Sequence, residues 1–165
     1  MIDLRKAALL DTVLVLPYTF VMPDMLFEDE WLCLSASDKE MLFRCGLEVR
    51  ELPGPSVTRA AAYFNRHRRL ALKDCLALVL AEDIDNSILL TGDGPLRAIA
   101  EDNGIEVHGV LWVIDELESH GVVPLRRLLD ALRLFHDDDL VLLPADEVAR
   151  RIRRLRRLLG SPHVM

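Results

Sequence analysis

Two aspartates stand where an apolar segment meets the predicted start of a helix. Asp74 opens the apolar run 74–81, and Asp93 closely follows the apolar segment 87–90. In a parallel α/β fold, functional groups gather beyond the carboxyl ends of the strands. Carboxylate oxygens are ligands that Mg²⁺ prefers in proteins. The two aspartates therefore indicate a site for a divalent metal.

A third acidic group comes from an earlier element. Glu28, Asp29 and Glu30 lie in a predicted helix that follows the strand-like segment 18–22 and Pro23. Hydrolysis of a phosphodiester benefits from two metals about 4 Å apart, of which one activates water and the other stabilises the leaving oxygen. Such a centre needs carboxylates from several elements, and one acid of this group would complete the set.

Each of these acids also has an ordinary structural role open to it. Asp74 and Asp93 stand where the N-cap residues of helices stand, and Pro95 then falls near the first position of its helix. The acidic run 28–30 is equally typical of a solvated helix face. Spacing alone leaves both roles open.

Two basic segments interrupt a chain whose net charge is −7. Arg66, Arg68 and Arg69 precede the first aspartate and are placed to contact phosphates near a metal. They are equally typical of a helix end, where cations are favourable. The arginines of 150–157 alternate with apolar residues at helical spacing, so we expect a helix that packs on the domain and pairs with the acids 137–139. A surface for nucleic acid or for a protein partner is the alternative.

Length and composition describe a globular protein. The 165 residues suit one domain with a sizeable core, and no apolar run is long enough to span a bilayer. The negative net charge argues against non-specific coating of nucleic acid. Cys33, Cys45 and Cys75 are odd in number and lack metal-ligand spacing, as expected in a reducing compartment. We therefore expect a cytoplasmic protein.

Predicted strands and helices alternate along the chain. Helices are predicted at 4–16, 24–30, 37–46, 56–64, 74–82, 94–101, 110–119, 125–135 and 145–159, and strands at 18–22, 47–52, 87–90 and 105–108. This alternation predicts a mainly parallel sheet that helices cover on both faces, a three-layer α/β/α fold.

Three segments resemble bacterial PIN domains. Residues 89–97, with the strand-like segment 104–109, are similar to the family's Thr-x-Asp after the fourth strand and the Gly-Ile-x-Val strand beyond it. The apolar helix that begins near Asp74 is similar to the family's helix that opens with an acid. Residues 20–30 resemble the strand, proline and helix that carry another family acid.

The resemblance implies a metal-dependent endoribonuclease that cleaves single-stranded RNA with Mg²⁺ or Mn²⁺. Members are often the toxin of a toxin–antitoxin pair and commonly form homodimers, so an antitoxin protein and a second copy are implied partners. By position, Asp74, Asp93 and Glu30 are implied as metal ligands and catalytic residues, with Asp29 as the alternative to Glu30. Thr91 is implied to orient Asp93 or a metal-bound water. The RNA contacts are then expected from Arg66, Arg68 and Arg69.

By the resemblance, we expect the family's first strand and its aspartate either to precede Met1 in a longer, active product or to be missing from the protein. Residues 1–4 are similar to the tail of that segment, so we expect a gap between the strands 18–22 and 87–90, where the family has its central first strand. Loss of one ligand would weaken metal binding and catalysis. We expect the PIN-like domain to cover 1–122 and a helical extension, 123–165, to pack on it.

Two alternatives stay open. A PIN-like domain that lacks catalysis and serves protein interactions is favoured by the missing aspartate, whereas Asp74, Thr91 and Asp93 favour the enzyme. An unrelated α/β domain of the receiver type would use the aspartates as caps. The paired acid near the first strand and the lysine after the last strand, which receiver domains need, are not evident.

Overall fold

The computed structural model describes residues 4, 6–31, 35–138 and 140–160, with residues 29–31 described through their backbone alone. The helices are α1 (Leu10–Val13), α2 (Asp24–Trp31), α3 (Ala36–Arg44), α4 (Gly54–Arg66), α5 (Leu72–Glu82), α6 (Gly94–Asp102), α7 (Val110–Ser119), α8 (Leu125–Asp137) and α9 (Ala145–Gly160). The strands are β1 (Val21–Pro23), β2 (Glu48–Arg50), β3 (Ile88–Leu90) and β4 (Glu106–His108). The predicted mixed α/β fold with parallel strands is confirmed.

The chain divides into two compact units. The first unit is Pro17–Gly109, and the second unit joins Met1–Leu16 with Val110–Met165. The strands β1 to β4 lie in the first unit, whereas α7, α8 and α9 lie in the second. The domain boundary expected after residue 122, and the packing of the extension on the PIN-like domain, stay predictions.

The strands of the first unit form two separate parallel pairs. β1 pairs with β2 in the register Val21 to Glu48, and β3 pairs with β4 in the register Ile88 to Glu106. Within the described residues, no strand joins the two pairs. Among these residues the strands therefore form two two-stranded sheets, and the gap expected between 18–22 and 87–90 stays a prediction.

Helix α5 holds the two strand pairs in one core. It packs against both β1 and β3. Its buried side chains include Leu76 and Leu78, and they share a cluster with Leu89 of β3, Val107 of β4 and the half-buried Val21 of β1. Six of its eleven residues are buried, which explains why its sequence is apolar almost all round.

Polar side chains fasten the last turn of α5 to α4. Asp83, which follows the last residue of α5, accepts hydrogen bonds from Ser56 Oγ at 2.7 Å and from Arg59 Nη2 at 2.6 Å. One turn further along α4, Tyr63 donates to Glu82 Oε1 at 2.5 Å. The hydrogen bond from Ser56, followed by that from Arg59, holds the pKa of the Asp83 carboxyl below its usual value.

This lowered pKa gives Asp83→Asn a pH-dependent effect. A carboxyl whose folded pKa lies below its unfolded value stabilises the fold above the unfolded pKa of about 3.9, and this stabilisation is lost as pH falls through the folded pKa. We expect the substitution to lower the free energy of unfolding at pH 7 by less than about 1 kcal/mol, since the ion pair is partly exposed. Urea unfolding at pH 7 and at pH 3 should show a smaller difference at pH 3, and an equal difference at both would contradict the prediction.

The helix predicted over 4–16 is interrupted in the structure. Among the described residues, 4 and 6 are helical, and α1 covers Leu10–Val13. Ala8 has a φ of 53°, a left-handed conformation that no regular α-helix contains. This local break accounts for the difference.

The core of the second unit lies between α8 and α9. Leu128 and Leu132 of α8 are fully buried, as is Leu155 of α9 beside the nearly buried Ile152. These residues recur at helical spacing, so each helix buries one stripe against its neighbour. The last helix is amphipathic as predicted and packs on α8, whereas its packing on the PIN-like domain stays a prediction.

The arginines of α9 find different acids from those predicted. Arg151 and Arg154 contact Asp115 of α7 at 2.5 and 2.8 Å. Asp138 instead accepts a hydrogen bond from Lys6 at 2.8 Å. Asp139 lies outside the described residues. The predicted pairing is therefore wrong for Arg151 and Arg154, because their side of α9 faces α7.

Within the described part of the chain, no helix combines the length and the apolar character that crossing a membrane requires.

Candidate active site

Thr91 and Asp93 form a hydrogen-bonded turn at the end of β3. The Thr91 N–H donates to the His108 carbonyl at 2.9 Å, which extends the pairing of β3 with β4 by one residue. The Asp93 N–H donates to Thr91 Oγ1 at 3.0 Å, and Asp93 Oδ1 accepts from the Leu96 N–H at 2.7 Å. Asp93 is therefore the N-cap of α6, and Thr91 holds its backbone rather than its carboxylate.

Asp74 lies in the first turn of α5 rather than at its cap. The N-cap is Ala71, whose N–H donates to Asp74 Oδ2 at 3.0 Å. This contact is half of a capping box, in which the third helical residue reaches back to the cap. The other half is missing because alanine has no hydroxyl. The simple N-cap interpretation of Asp74 is wrong, although its carboxylate does serve the helix start.

Ala71→Ser should complete this capping box. Ala71 is exposed and has the extended backbone of an N-cap, with φ −79° and ψ 156°, so serine fits without strain. Its hydroxyl would accept from the Asp74 N–H, and we expect the free energy of unfolding to rise by about 1 kcal/mol. Urea unfolding of both chains measures the change. Ala71→Val is the control for size without an acceptor, and equal stabilisation by valine would contradict the role of the hydroxyl as a cap.

The two carboxylates share one feature. Asp74 and Asp93 are each held by one oxygen through a backbone N–H, and the second oxygen has no hydrogen-bond partner among the described residues. Asp93 is exposed and Asp74 is half-buried. A carboxylate fixed by one oxygen presents the other in a defined direction, as a metal ligand must.

Residues 83–87 connect helix α5 to strand β3, and Ser87 Oγ donates to the Ala81 carbonyl at 2.6 Å, which tightens the turn. Because α5 packs against the strand that follows it after this short connection, we expect the two to run in opposite directions. Asp74 at the start of α5 is then expected to lie toward the end of β3 that Asp93 follows.

The third predicted acid belongs to α2, which starts directly after β1 ends at Pro23. The side chains of Glu30 and of its alternative Asp29 lie outside the described residues. Among the described side chains, no group of three acids, histidines or cysteines converges to hold a metal. The structure thus brings Thr91 and Asp93 together, whereas the position of Glu30 relative to Asp74 and Asp93 stays a prediction.

The three predicted RNA-binding arginines surround the connection from α4 to α5. Arg66 ends α4, and Arg68 and Arg69 lie in the turn before Ala71, directly ahead of the first turn of α5. All three are exposed, and none forms an ion pair with a described residue. Their charge is therefore not neutralised locally near Asp74.

Arg97 is a positioning residue that sequence reasoning missed. Its Nη1 donates to the Val107 carbonyl at 3.0 Å, and its Nη2 donates to the Thr91 carbonyl at 3.3 Å. The side chain therefore ties the segment of Thr91 and Asp93 to β4. Spacing gave no signal, because an arginine four residues after an N-cap is equally typical of an exposed helix face.

The comparisons with known proteins agree with this geometry. A family model described as a PIN domain matches residues 1–155. Neither the curated proteins nor the solved structures contain a significant match to the chain. The family match includes the segments of Asp74, Thr91 and Asp93, and it extends beyond residue 122 through α8 and most of α9. The chain therefore belongs to the PIN-domain family, whose general function is of the nuclease type.

Proposed function

We propose that this protein is a metal-dependent endoribonuclease that cleaves single-stranded RNA. The observation that carries the proposal is the pair Asp74 and Asp93, each anchored through one oxygen and with the other oxygen unpartnered among the described residues. A residue that only caps a helix needs no second oxygen. Two such carboxylates, expected toward the same end of the first unit, suit a hard divalent cation such as Mg²⁺ or Mn²⁺.

The donor set fits such a cation. Asp74, Asp93 and Glu30 would hold it, with Asp29 as the alternative third acid, and all supply hard oxygen ligands. When bound, the metal supplies an activated water and stabilises the leaving oxygen. Thr91 fixes the backbone of Asp93, because its hydroxyl oxygen accepts a hydrogen bond from the Asp93 N–H.

RNA would reach these acids past the arginines of the α4–α5 connection. Arg66, Arg68 and Arg69 are exposed and without acidic partners among the described residues, so they can donate to phosphate oxygens. Contacts to phosphates position a strand without reading its sequence. The proposed substrate is therefore single-stranded RNA with little base preference at these arginines.

The toxin role is a further part of the proposal. It rests on the resemblance to toxin members of the family, and it brings with it an antitoxin protein, a homodimer and a cytoplasmic location. The first unit exposes Met25 of α2 and Phe43 of α3, each by 48%, which supports contacts with a protein partner. Co-expression with the product of a neighbouring gene, followed by size-exclusion chromatography, tests it.

A second function has its own support. This function is a PIN-like module that binds a partner without catalysis, and it is supported by the described side chains, among which Asp74 and Asp93 belong to no group of three acids, histidines or cysteines that could hold a metal. The side chain of Glu30 lies outside these residues. Cleavage of a mixed-sequence single-stranded RNA with Mn²⁺, Mg²⁺ or EDTA separates the two functions. The ribonuclease requires cleavage that EDTA abolishes. Absence of both cleavage and Mn²⁺ binding by calorimetry would favour the interaction module.

A further inference from the structure

The solvent face of α9 is an arginine stripe. Val148, Ile152 and Leu155 form its buried face. At 100° per residue, the opposite face carries residues at i, i+3, i+4 and i+7. These positions are Arg150, Arg153, Arg154 and Arg157, which we call the α9 arginine face. From Arg150 to Arg157 this face carries no acid, and the nearest acid on it is Asp146, one turn before Arg150.

The α9 arginine face borders a cleft. The cleft has a volume of about 420 Å³, and the described residues that line it are Arg150, Arg151, Arg154 and Arg157. A concave surface whose described lining consists of arginine side chains favours an anionic ligand. The chain as a whole carries a charge of −7, so this cluster of arginines is a local feature and not a consequence of composition.

Ion pairs with neighbouring acids fix Arg151 and Arg154, two of the arginines that line the cleft. Arg151 donates through Nε and Nη2 to Asp115 at 3.1 and 2.5 Å, and through Nη1 to Glu147 at 2.7 Å. Arg154 contacts Asp115 at 2.8 Å and also contacts Glu118. Partial burial opposes the charge of Arg154, but these two acids outweigh it and leave its pKa raised. Both guanidinium groups are thus fixed and charged before any ligand arrives, which lowers the entropy lost on binding.

The spacing of the arginines favours a chain of phosphates over a single small anion. Arg151 shares Asp115 with Arg154 and shares Glu147 with Arg150, so each of these acids serves two guanidinium groups. A guanidinium has five N–H donors, and those that these acids do not use can donate to phosphate oxygens. Arg150 and Arg157 are about 10 Å apart along the helix axis, enough to follow a strand rather than one isolated phosphate.

We propose that the α9 arginine face, with Arg151, binds the phosphodiester backbone of single-stranded RNA without base preference. This site lies in the second unit, whereas Asp74 and Asp93 lie in the first. The identity of the ligand as RNA rests on the proposed function, but binding here does not depend on cleavage. The site adds affinity for the substrate by the usual route of phosphate contacts and counterion release.

Anisotropy of a short, labelled, mixed-sequence RNA in EDTA tests the site. The variant is Arg150→Gln with Arg157→Gln, because both side chains are exposed and the Asp115 contacts stay intact. We expect the dissociation constant at low salt to rise about tenfold. The slope of log K against log salt should fall by about 1.4, or about 0.7 for each lost phosphate contact.

Arg126→Gln with Arg133→Gln is the matched control. Both residues are exposed on α8 of the same unit, and the charge change is the same. The control should bind RNA as the unsubstituted chain does, and thermal unfolding checks that all chains are folded. The proposal would be overturned if both double variants lost RNA affinity equally, or if the α9 variant lost no RNA affinity.

Two further measurements distinguish RNA binding at this face from membrane binding and from catalysis. Binding to vesicles that contain phosphatidylserine, without binding to RNA, would overturn the proposal and assign the face to anionic membranes. RNA binding that needs the α9 arginines in a chain that never cleaves would support the site and contradict the proposed enzyme. If the chain cleaves RNA with metal but the α9 variant binds RNA as tightly as the unsubstituted chain, this result would contradict the α9 site and leave the proposed enzyme standing.

Discussion

Asp93→Asn is expected to reduce metal-dependent RNA cleavage at least about 100-fold, more than the loss of a group that merely supports a metal ligand. The free energy of unfolding should change by less than about 0.5 kcal/mol, since asparagine and aspartate are equally good N-caps. The asparagine Oδ1 can still accept from the Leu96 N–H, as Asp93 Oδ1 does at 2.7 Å. Only the negative charge and the ligand strength of the second oxygen are lost.

Asp102→Asn is the matched control for this substitution. Asp102 is exposed and ends α6, the helix that Asp93 begins, so the same charge is removed at the opposite end. Initial rates with saturating Mn²⁺ and calorimetric Mn²⁺ binding give the two readouts. Asp74→Asn, which also keeps its contact to the Ala71 N–H, should behave like Asp93→Asn. If Asp93→Asn cleaves as fast as Asp102→Asn, Asp93 is a cap and no ligand.

Leu78→Ala is expected to have the largest effect on stability, a loss of about 3 to 4 kcal/mol in the free energy of unfolding. Leu78 is 0% exposed and lies in the middle of α5. Its removal leaves a cavity in the core that β3 and β4 share with the half-buried Val21 of β1. Urea unfolding measures the loss, and Leu72→Ala, at the 38% exposed first residue of α5, should cost less than about 1 kcal/mol.

Amide hydrogen exchange adds a second readout to this prediction. Because α5 packs against both strand pairs, loosening it should reduce protection in β1 and β3 together. Loss of protection in β3 and β4 with unchanged β1 and β2 would contradict the role of α5 as the shared support.

Local signals in the sequence predicted most elements of the fold. The helix over Val110–Ser119 was predicted with these bounds, and the stop after α6 follows from Gly104, whose φ is 77°. Where prediction failed, the cause was outside the local rules. The break at Ala8 depends on a left-handed alanine, and the arginine partners in α7 depend on which helices lie side by side.

In the candidate site, too, local features could be predicted from the sequence and tertiary contacts could not. Thr91 and Asp93 could be predicted because a strand end and a helix cap are both encoded within a few residues. The part played by Arg97 could not, since its acceptors are two carbonyls that only the pairing of β3 with β4 brings together. The convergence of Glu30 with the two aspartates is likewise a property of the tertiary structure, and it stays a prediction.

The two ends of α5 have different roles, so mutations can change the activity and the stability of the protein independently. Its first turn carries Asp74, while its last turn is fastened to α4 through Glu82 and Asp83. About 12 Å of helix lies between Asp74 and Glu82, beyond the reach of direct side-chain contact. A mutational scan along α5 should therefore find variants that change activity at one end and variants that change thermal resistance at the other, with few that change both.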